Sequence, residues 1–292
     1  AVAVLRRITT TRPPDRTATT DDRTLHDVWT VSEPSEIAEY QAALATDDLF
    51  IADGHHRYTT ALNHLAELDS RGPVEHDHPA RRTMMVLVSM SDPGLVIWPT
   101  HRVLGGMKHY SWEKFLDLAS RQLVLEPLGG GRGDSLDLLA ADLDARADLG
   151  PSRMGLFDVV SGRAMLAAPQ HPDPLAARFP EKPRAWRDLA VTFIQHVLVE
   201  ELAQPLLNGG HPVAWAFPHT LDEVREIGRG VETGAGGGGA FGATGPQLAV
   251  IVRPTPLSAV RDVSRAGHLM PQKSTFFFPK LATGLFMHAL KP

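Results

Sequence analysis

The stretch Leu49-Phe50-Ile51-Ala52-Asp53-Gly54-His55-His56-Arg57-Tyr58 decides how this chain is read. Residues 49–52 are apolar and predict a short buried strand. Residues 58–68 predict an amphipathic helix, with Ala61, Leu62, Leu65 and Leu68 along one face. The polar residues 53–57 then fill a strand-to-helix turn. Such a turn presents unpaired backbone N–H groups at the positive end of the helix dipole. It favours an anion, a phosphate above all.

Each residue of the turn has a distinct use. Gly54 allows positive φ or close approach of a ligand to the backbone. Arg57 brings a planar fork that matches phosphate oxygens. His55 and His56 add donors or proton carriers. Asp53 can accept a proton from a hydroxyl nucleophile or hold a divalent cation, Mg²⁺ in the first instance. The plain structural alternative is a capped helix with Asp53 paired to Arg57. Adjacent histidines point in different directions on a helix, and no helical zinc spacing occurs at this turn.

Two further clusters carry polar chemistry. Thr100-His101-Arg102 follows the apolar Val96-Ile97-Trp98, so its charge is either buried with partners or solvated on an edge strand. Met270-Pro271-Gln272-Lys273-Ser274-Thr275 precedes Phe276-Phe277-Phe278-Pro279-Lys280. Lys273, Ser274, Thr275 and Lys280 are candidate phosphate contacts beside an aromatic run that suits a core. The Lys-Ser-Thr string lacks the upstream glycines of a P-loop. His64 is expected on an exposed helix face, His76 and His78 in a polar loop, and His219 at a strand end near a pocket.

Composition narrows the classes. The chain has 292 residues, is 43% hydrophobic and carries a formal charge of −5. That is enough for one large domain or two small ones, and it argues against a general nucleic-acid binder. No apolar run approaches the roughly 20 residues of a membrane span. No signal-peptide layout is present, and the absence of cysteine removes disulfides and thiolate sites. A cytoplasmic location is expected.

Outward from the turn, strands are predicted at 27–31, 83–90, 95–104, 154–160, 163–168, 213–217 and 248–252. Helices are predicted at 32–45, 111–123, 136–149, 186–203, 220–229 and 257–266. Residues 83–90 and 95–104 are expected to pair through Ser91-Asp92-Pro93-Gly94, and 154–168 to form a hairpin through Ser161-Gly162. The Gly/Ala-rich 233–245 is expected to be a mobile loop, and 275–290 extended. The fold class is α+β, a mixed sheet with flanking helices. The expected parts are a disordered or truncated remnant at 1–25, a part at 26–128 bearing the Asp53 turn, and a second part at 134–292. The last two are either separate or one continuous domain. The boundary is the glycine-rich break at 129–133.

The strings Ile51-Ala52-Asp53-Gly54-His55-His56-Arg57-Tyr58 and Met270 to Lys280, with Leu281 and Gly284 after them, resemble the bacterial and archaeal family called Domain of Unknown Function 1015. The likeness runs from about residue 25 to the end. Members usually carry a longer N-terminal segment with a Pro-Pro-Tyr-Asp-like motif, which is absent here. The Gly54-His55-His56-Arg57 turn is also similar to the Gly-Cys-His-Arg turn of sulfiredoxins and the Gly-Glu-Arg-Arg turn of ParB-type nucleotide-binding domains, a superfamily that includes serine kinases. That similarity implies that residues 54–57 cradle a phosphate. The sulfiredoxin cysteine aligns with His55, so thiol chemistry does not carry over.

The expectation is therefore a phosphotransferase. It moves a phosphoryl group from a nucleotide or pyrophosphate, with Mg²⁺, to a small hydroxyl compound such as serine. Asp53, His56 and Arg57 are the catalytic candidates, with Asp53 as the metal ligand. Gly54, His55, His101, Arg102, Lys273, Ser274, Thr275 and Lys280 are the binding candidates. The partner is a small phosphorylated molecule, with neither nucleic acid nor membrane. The alternatives are a non-catalytic nucleotide-binding regulator and a metal-dependent hydrolase using Asp53, His55 and His56.

Overall fold

The computed structural model describes residues 1–292 except 22, 129–134, 148–149, 151, 231–240, 283 and 291–292. The chain divides into two compact units, Ala1–Leu95 with Pro279–Pro292, and Val96–Phe278.

The first unit opens with helix α1 (Val2–Thr11), which buries Val4 and Ile8 one turn apart. Strands β1 (Arg16–Thr19) and β2 (Leu25–Val28) pair antiparallel, with Arg16 opposite Val28 and Thr19 opposite Leu25. The stretch 1–25, in which the sequence shows little pattern, thus holds a helix and a strand. Helix α2 (Pro34–Leu44) starts at its proline, two residues after the predicted start, with Glu33 in the cap position. Arg7 of α1 forks onto the Glu39 carboxylate of α2. Helix α3 (His55–Arg71) covers the predicted 58–68 and begins three residues earlier.

Two predicted strands of this unit are absent. Residues 49–52 are irregular, and Leu49 is 61% and Ile51 42% exposed. Residues 83–89 are likewise irregular, with Met84, Met85, Val86 and Val88 exposed. Apolar pattern and β-branching do not make a strand without a neighbouring edge to receive its N–H and C=O groups. Among the described residues neither run has one.

The second unit opens with β3 (Val96–Trp98) and β4 (Arg102–Gly105), two short strands where the sequence predicts one. It continues through α4 (Trp112–Ala119), β5 (Leu123–Pro127), α5 (Ser135–Ala145), β6 (Met154–Asp158) and β7 (Ala164–Pro169). Then come α6 (Arg184–Arg187), α7 (Ala190–Phe193) and a π-helical segment, Ile194–Leu207. The unit ends with β8 (Ala214–Ala216), α8 (Leu221–Gly228), β9 (Pro246–Val252), α9 (Leu257–Arg265) and β10 (Phe276–Phe278).

Six strands form one sheet in the order β5-β7-β6-β9-β4-β8. Every pairing among the described residues is antiparallel, so the expected mixed sheet is corrected to an antiparallel one. The coarse class, α+β, stands. Strand β9 runs through the middle and is buried on both faces, which explains its unbroken apolar sequence. Its alternate residues face opposite ways. Leu248, Val250 and Val252 join Leu104, Phe115, Leu156 and Leu198 in one core. Ala249 and Ile251 join Val103, Leu139, Leu143 and Ile227 in the other. Helix α4 and the π-helical segment thus cover one face, and α5 and α8 the other. At Gly155 a Cβ would lie 2.6 Å from the Leu139 side chain, so the missing side chain lets α5 settle on the sheet.

The predicted hairpin at 154–168 forms as β6 and β7. Strand β3, however, pairs with β10 and not with 83–90, bringing Phe276 opposite Trp98. The helical run expected to stop at Pro205 continues to Leu207, because its apolar face, from Ile194 to Leu207, is buried on the sheet. The break at 129–133 and most of 233–245 lie outside the described residues. The break falls within the second unit, whose sheet draws strands from both sides of it.

Candidate functional site

The sequence candidates form two groups, one in each unit. In the first unit the chain enters α3 through Gly54, which sits at the cap position with φ 84°. Only glycine takes that conformation without strain. The first helical bond runs from the Tyr58 N–H to the Gly54 carbonyl at 3.0 Å. No acceptor for the amides of His55, His56 or Arg57 occurs among the described residues. All three residues are exposed. The Arg57 guanidinium folds back over Gly54, where a Cβ would stand 3.1 Å from its Nη2.

Asp53 pairs with a residue far away in sequence, and not with Arg57. Its Oδ2 accepts from Lys280 Nζ at 3.1 Å and its Oδ1 from the Gly54 N–H at 2.7 Å. Partial burial opposes ionisation of this carboxyl. The Lys280 ammonium, the Gly54 N–H and the Arg57 charge together outweigh it and hold the group below the usual carboxylate range. The turn is thus a coil-to-helix corner with two cations, one carboxylate and unclaimed amides.

Asp53 has no cluster of further candidate metal ligands around it among the described residues. One of its oxygens faces an ammonium. Among the described residues no three His, Asp or Glu side chains are grouped to hold a metal ion. His55 and His56 are consecutive on α3 and diverge by about 100°.

The second unit brings His101 and Arg102 to Lys273 and Ser274, which the sequence leaves unconnected. Arg102, on β4, is 3% exposed. Its Nη1 donates to the Thr100 carbonyl, and its Nη2 to the Lys273 carbonyl at 2.9 Å. Burial lowers its pKa to about 10, so it stays cationic at neutral pH. Thr255, between two prolines after β9, donates from Oγ1 to the Ser274 carbonyl at 2.6 Å. Lys273 has φ 55°, a left-handed conformation unusual for a side-chain-bearing residue. Thr275 is half-buried beside them.

His101 is not a free base. Its Nδ1 accepts the Val252 N–H at 3.2 Å. Burial, with the Arg102 and His219 charges, lowers its pKa to about 3. It is a neutral structural residue. His219 donates from Nδ1 to the Pro99 carbonyl at 3.1 Å, and its ring stacks on Phe276 at 3.8 Å. The aromatic run is therefore largely structural, since Trp98 also stacks on Phe278 at 4.1 Å. Phe217 lies under both cations, 5.2 Å from Arg102 and 5.8 Å from the Lys273 ammonium.

Sequence reasoning misses Thr255, Phe217 and Asp158. Asp158 is 2% exposed and accepts from the Tyr110 hydroxyl at 2.8 Å and from the Ser161 N–H at 2.9 Å. A lone Asp before a Ser-Gly turn is its one signal. An open cleft walled by Trp112, Leu116, Leu138, Arg163 and Met165 contains none of the candidates.

Residues 1–189 match the family described as Protein of unknown function (DUF1015). The chain belongs to this family. The DUF1015 match includes the Asp53 turn, and it takes in residues 1–25, where the sequence likeness begins only at about 25. Lys273 and Lys280 lie beyond the matched residues. No curated protein and no solved structure matches the chain. No helix among the described residues is long and apolar enough to cross a membrane.

Proposed function

We propose that this DUF1015 protein binds a phosphate-bearing small molecule at the start of α3 and transfers its phosphoryl group to a small hydroxyl compound. The donor is a nucleotide or pyrophosphate, and serine is a fitting acceptor. The observation that carries this reading is the exposed corner at 53–57, where unclaimed amides, Arg57 and Lys280 surround one held carboxylate. The short similarity of residues 54–57 to ParB and sulfiredoxin turns supports it as an analogy.

Phosphoryl transfer depends chiefly on positioning and charge neutralisation. The α3 amides and Arg57 hold the transferred phosphate, and Lys280 adds charge. As the acceptor oxygen bonds to phosphorus, the bond to the donor's bridging oxygen breaks. The hydroxyl proton passes to His56, because the depressed pKa of Asp53 makes its carboxylate the weaker base. Asp53 orients the hydroxyl by accepting its hydrogen bond. The cytoplasm, where nucleotides abound, suits such an enzyme.

Calorimetric titration of the intact protein with pyrophosphate and with ATP tests this. Arg57→Ala weakens binding by about tenfold or more, the loss of a charge-assisted contact. Unchanged affinity overturns the proposal. A second reading, a regulator that binds without turnover, is favoured by the engagement of both Asp53 oxygens. An assay for phosphate release and serine phosphorylation separates the two.

A further inference from the structure

Among the described residues no carboxylate pairs with the buried Arg102 cation. Among the described residues its donors reach backbone carbonyls alone, those of Thr100, His101 and Lys273. Carbonyl dipoles solvate a guanidinium but leave its charge uncancelled, and a buried charge normally has a counter-ion. Lys273 has an exposed side chain and likewise no ion pair among the described residues. Both cations approach the same ring, Phe217. His101 adds no charge, because its Nδ1 is an acceptor. Glu223 is engaged by the N–H groups of His219 and Thr220.

The turn that carries Lys273 is held on both sides. Arg102 fixes the Lys273 carbonyl, and Thr255 fixes the next one, that of Ser274. Between these anchors Lys273 keeps its left-handed backbone. Strain that the surroundings over-determine in this way marks a turn with a job to do. Ser274 is 4% exposed, and its hydroxyl is buried without any hydrogen-bond partner. Buried hydroxyls are nearly always bonded, so an orphan among the described residues, in the turn that Arg102 and Thr255 hold, is a donor free for a ligand.

We propose that the second unit carries an oxyanion site of its own, in which Lys273 and the Ser274 hydroxyl contact the ligand and Arg102 supplies the buried counter-charge. The ligand is a small oxyanion, a carboxylate or a phosphate. Arg102 is a positioning residue, since its fork already holds the Lys273 carbonyl. The site lies in a different unit from α3 and uses different residues, so it stands or falls apart from the phosphoryl-transfer proposal.

Titration calorimetry of the intact protein with pyrophosphate and, separately, with glycerate tests it. Lys273→Gln weakens binding of at least one of these by about tenfold, while Lys273→Arg retains it. Loss for pyrophosphate alone identifies a phosphate, loss for glycerate alone a carboxylate, and loss for both a general oxyanion site. Ser274→Ala weakens the same ligand in a protein that melts as the parent does. Arg102→Gln also weakens it, and Arg102→Lys, which restores charge, recovers part of the loss. A purely structural Arg102 would not show that recovery. Affinity unchanged in Lys273→Gln, or no binding of either anion to the parent protein, overturns the proposal. If Arg57→Ala abolishes binding and Lys273→Gln leaves it intact, this site fails and the α3 site survives.

Discussion

The Nζ of Lys280 donates to the Oδ2 of Asp53 at 3.1 Å, joining the closing segment of the chain to the start of α3. The contact explains why Asp53 stays ionised at the mouth of a helix. Its folded pKa is depressed, so the pair contributes stability above the unfolded value, near 3.9, and loses it as pH falls through the folded value. Both side chains are about half exposed, so the contribution is small, about 0–1 kcal/mol. In Lys280→Met the Asp53 carboxyl titrates at higher pH than in the parent. A carbon-detected NMR titration of the Asp53 carboxyl reads this directly, and an unmoved titration refutes the pairing.

His101 gives the second unit an acid sensitivity of its own. The imidazole has a pKa near 3 when folded and about 6.5 when free. The unfolded chain therefore binds the extra proton first. Stability is full above pH 6.5 and drops as pH falls from there toward 3, with a slope of up to about 1.4 kcal/mol per pH unit. His101→Asn keeps an acceptor for the Val252 N–H and removes the titration. Denaturant midpoints measured between pH 7 and pH 4 fall less steeply in that variant than in the parent.

Asp158→Ala removes the acceptor of the Tyr110 hydroxyl and of the Ser161 N–H at the β6–β7 turn. The hydroxyl, largely shielded from water, is left without its partner, which costs about 1–3 kcal/mol. Burial and the Asp158 carboxylate also raise the Tyr110 pKa well above its ordinary value. Adding Tyr110→Phe to Asp158→Ala costs much less than Tyr110→Phe alone. Urea unfolding of the four proteins closes the cycle.

Gly155→Ala places a methyl group against Leu139, which is fully buried. The forced repacking costs about 1–3 kcal/mol. Trimming the neighbour in Gly155→Ala/Leu139→Val recovers part of it. A lower melting temperature for the single variant than for the double is the expected calorimetric result.

The elements legible in the sequence are those whose partners lie close by. The β6–β7 hairpin follows from alternation around Ser161-Gly162. Helix α8 follows from Thr220 and Glu223, which form a full capping box. Helix α3 and its polar entry follow from apolar spacing. What stays hidden depends on distant partners. Residues 83–90 have the composition of a strand, yet β3 pairs with β10, well over a hundred residues downstream, and not with them. Residues 49–52 look buried because they are apolar, and no local pattern shows whether a neighbour covers them.

The candidate sites divide in the same way. The 53–57 corner is contiguous, so inspection finds it, but nothing local tells Lys280 from Arg57 as the partner of Asp53. Arg102 stands in one motif, Lys273 and Ser274 in another. Their meeting depends on the Lys273 turn reaching both β4 and the segment after β9, where Thr255 has no motif around it. The neutrality of His101 is invisible in sequence because it depends on an amide of β9 arriving at its ring.

The pairing of β3 with β10 sets Val96 directly across from Phe278, the first and last residues of the second unit. A polypeptide module whose two ends meet can be spliced into a host chain by opening a single peptide junction, with no stretching of either. The 96–278 module has the geometry of such a guest, its two ends lying within reach of one short designed linker.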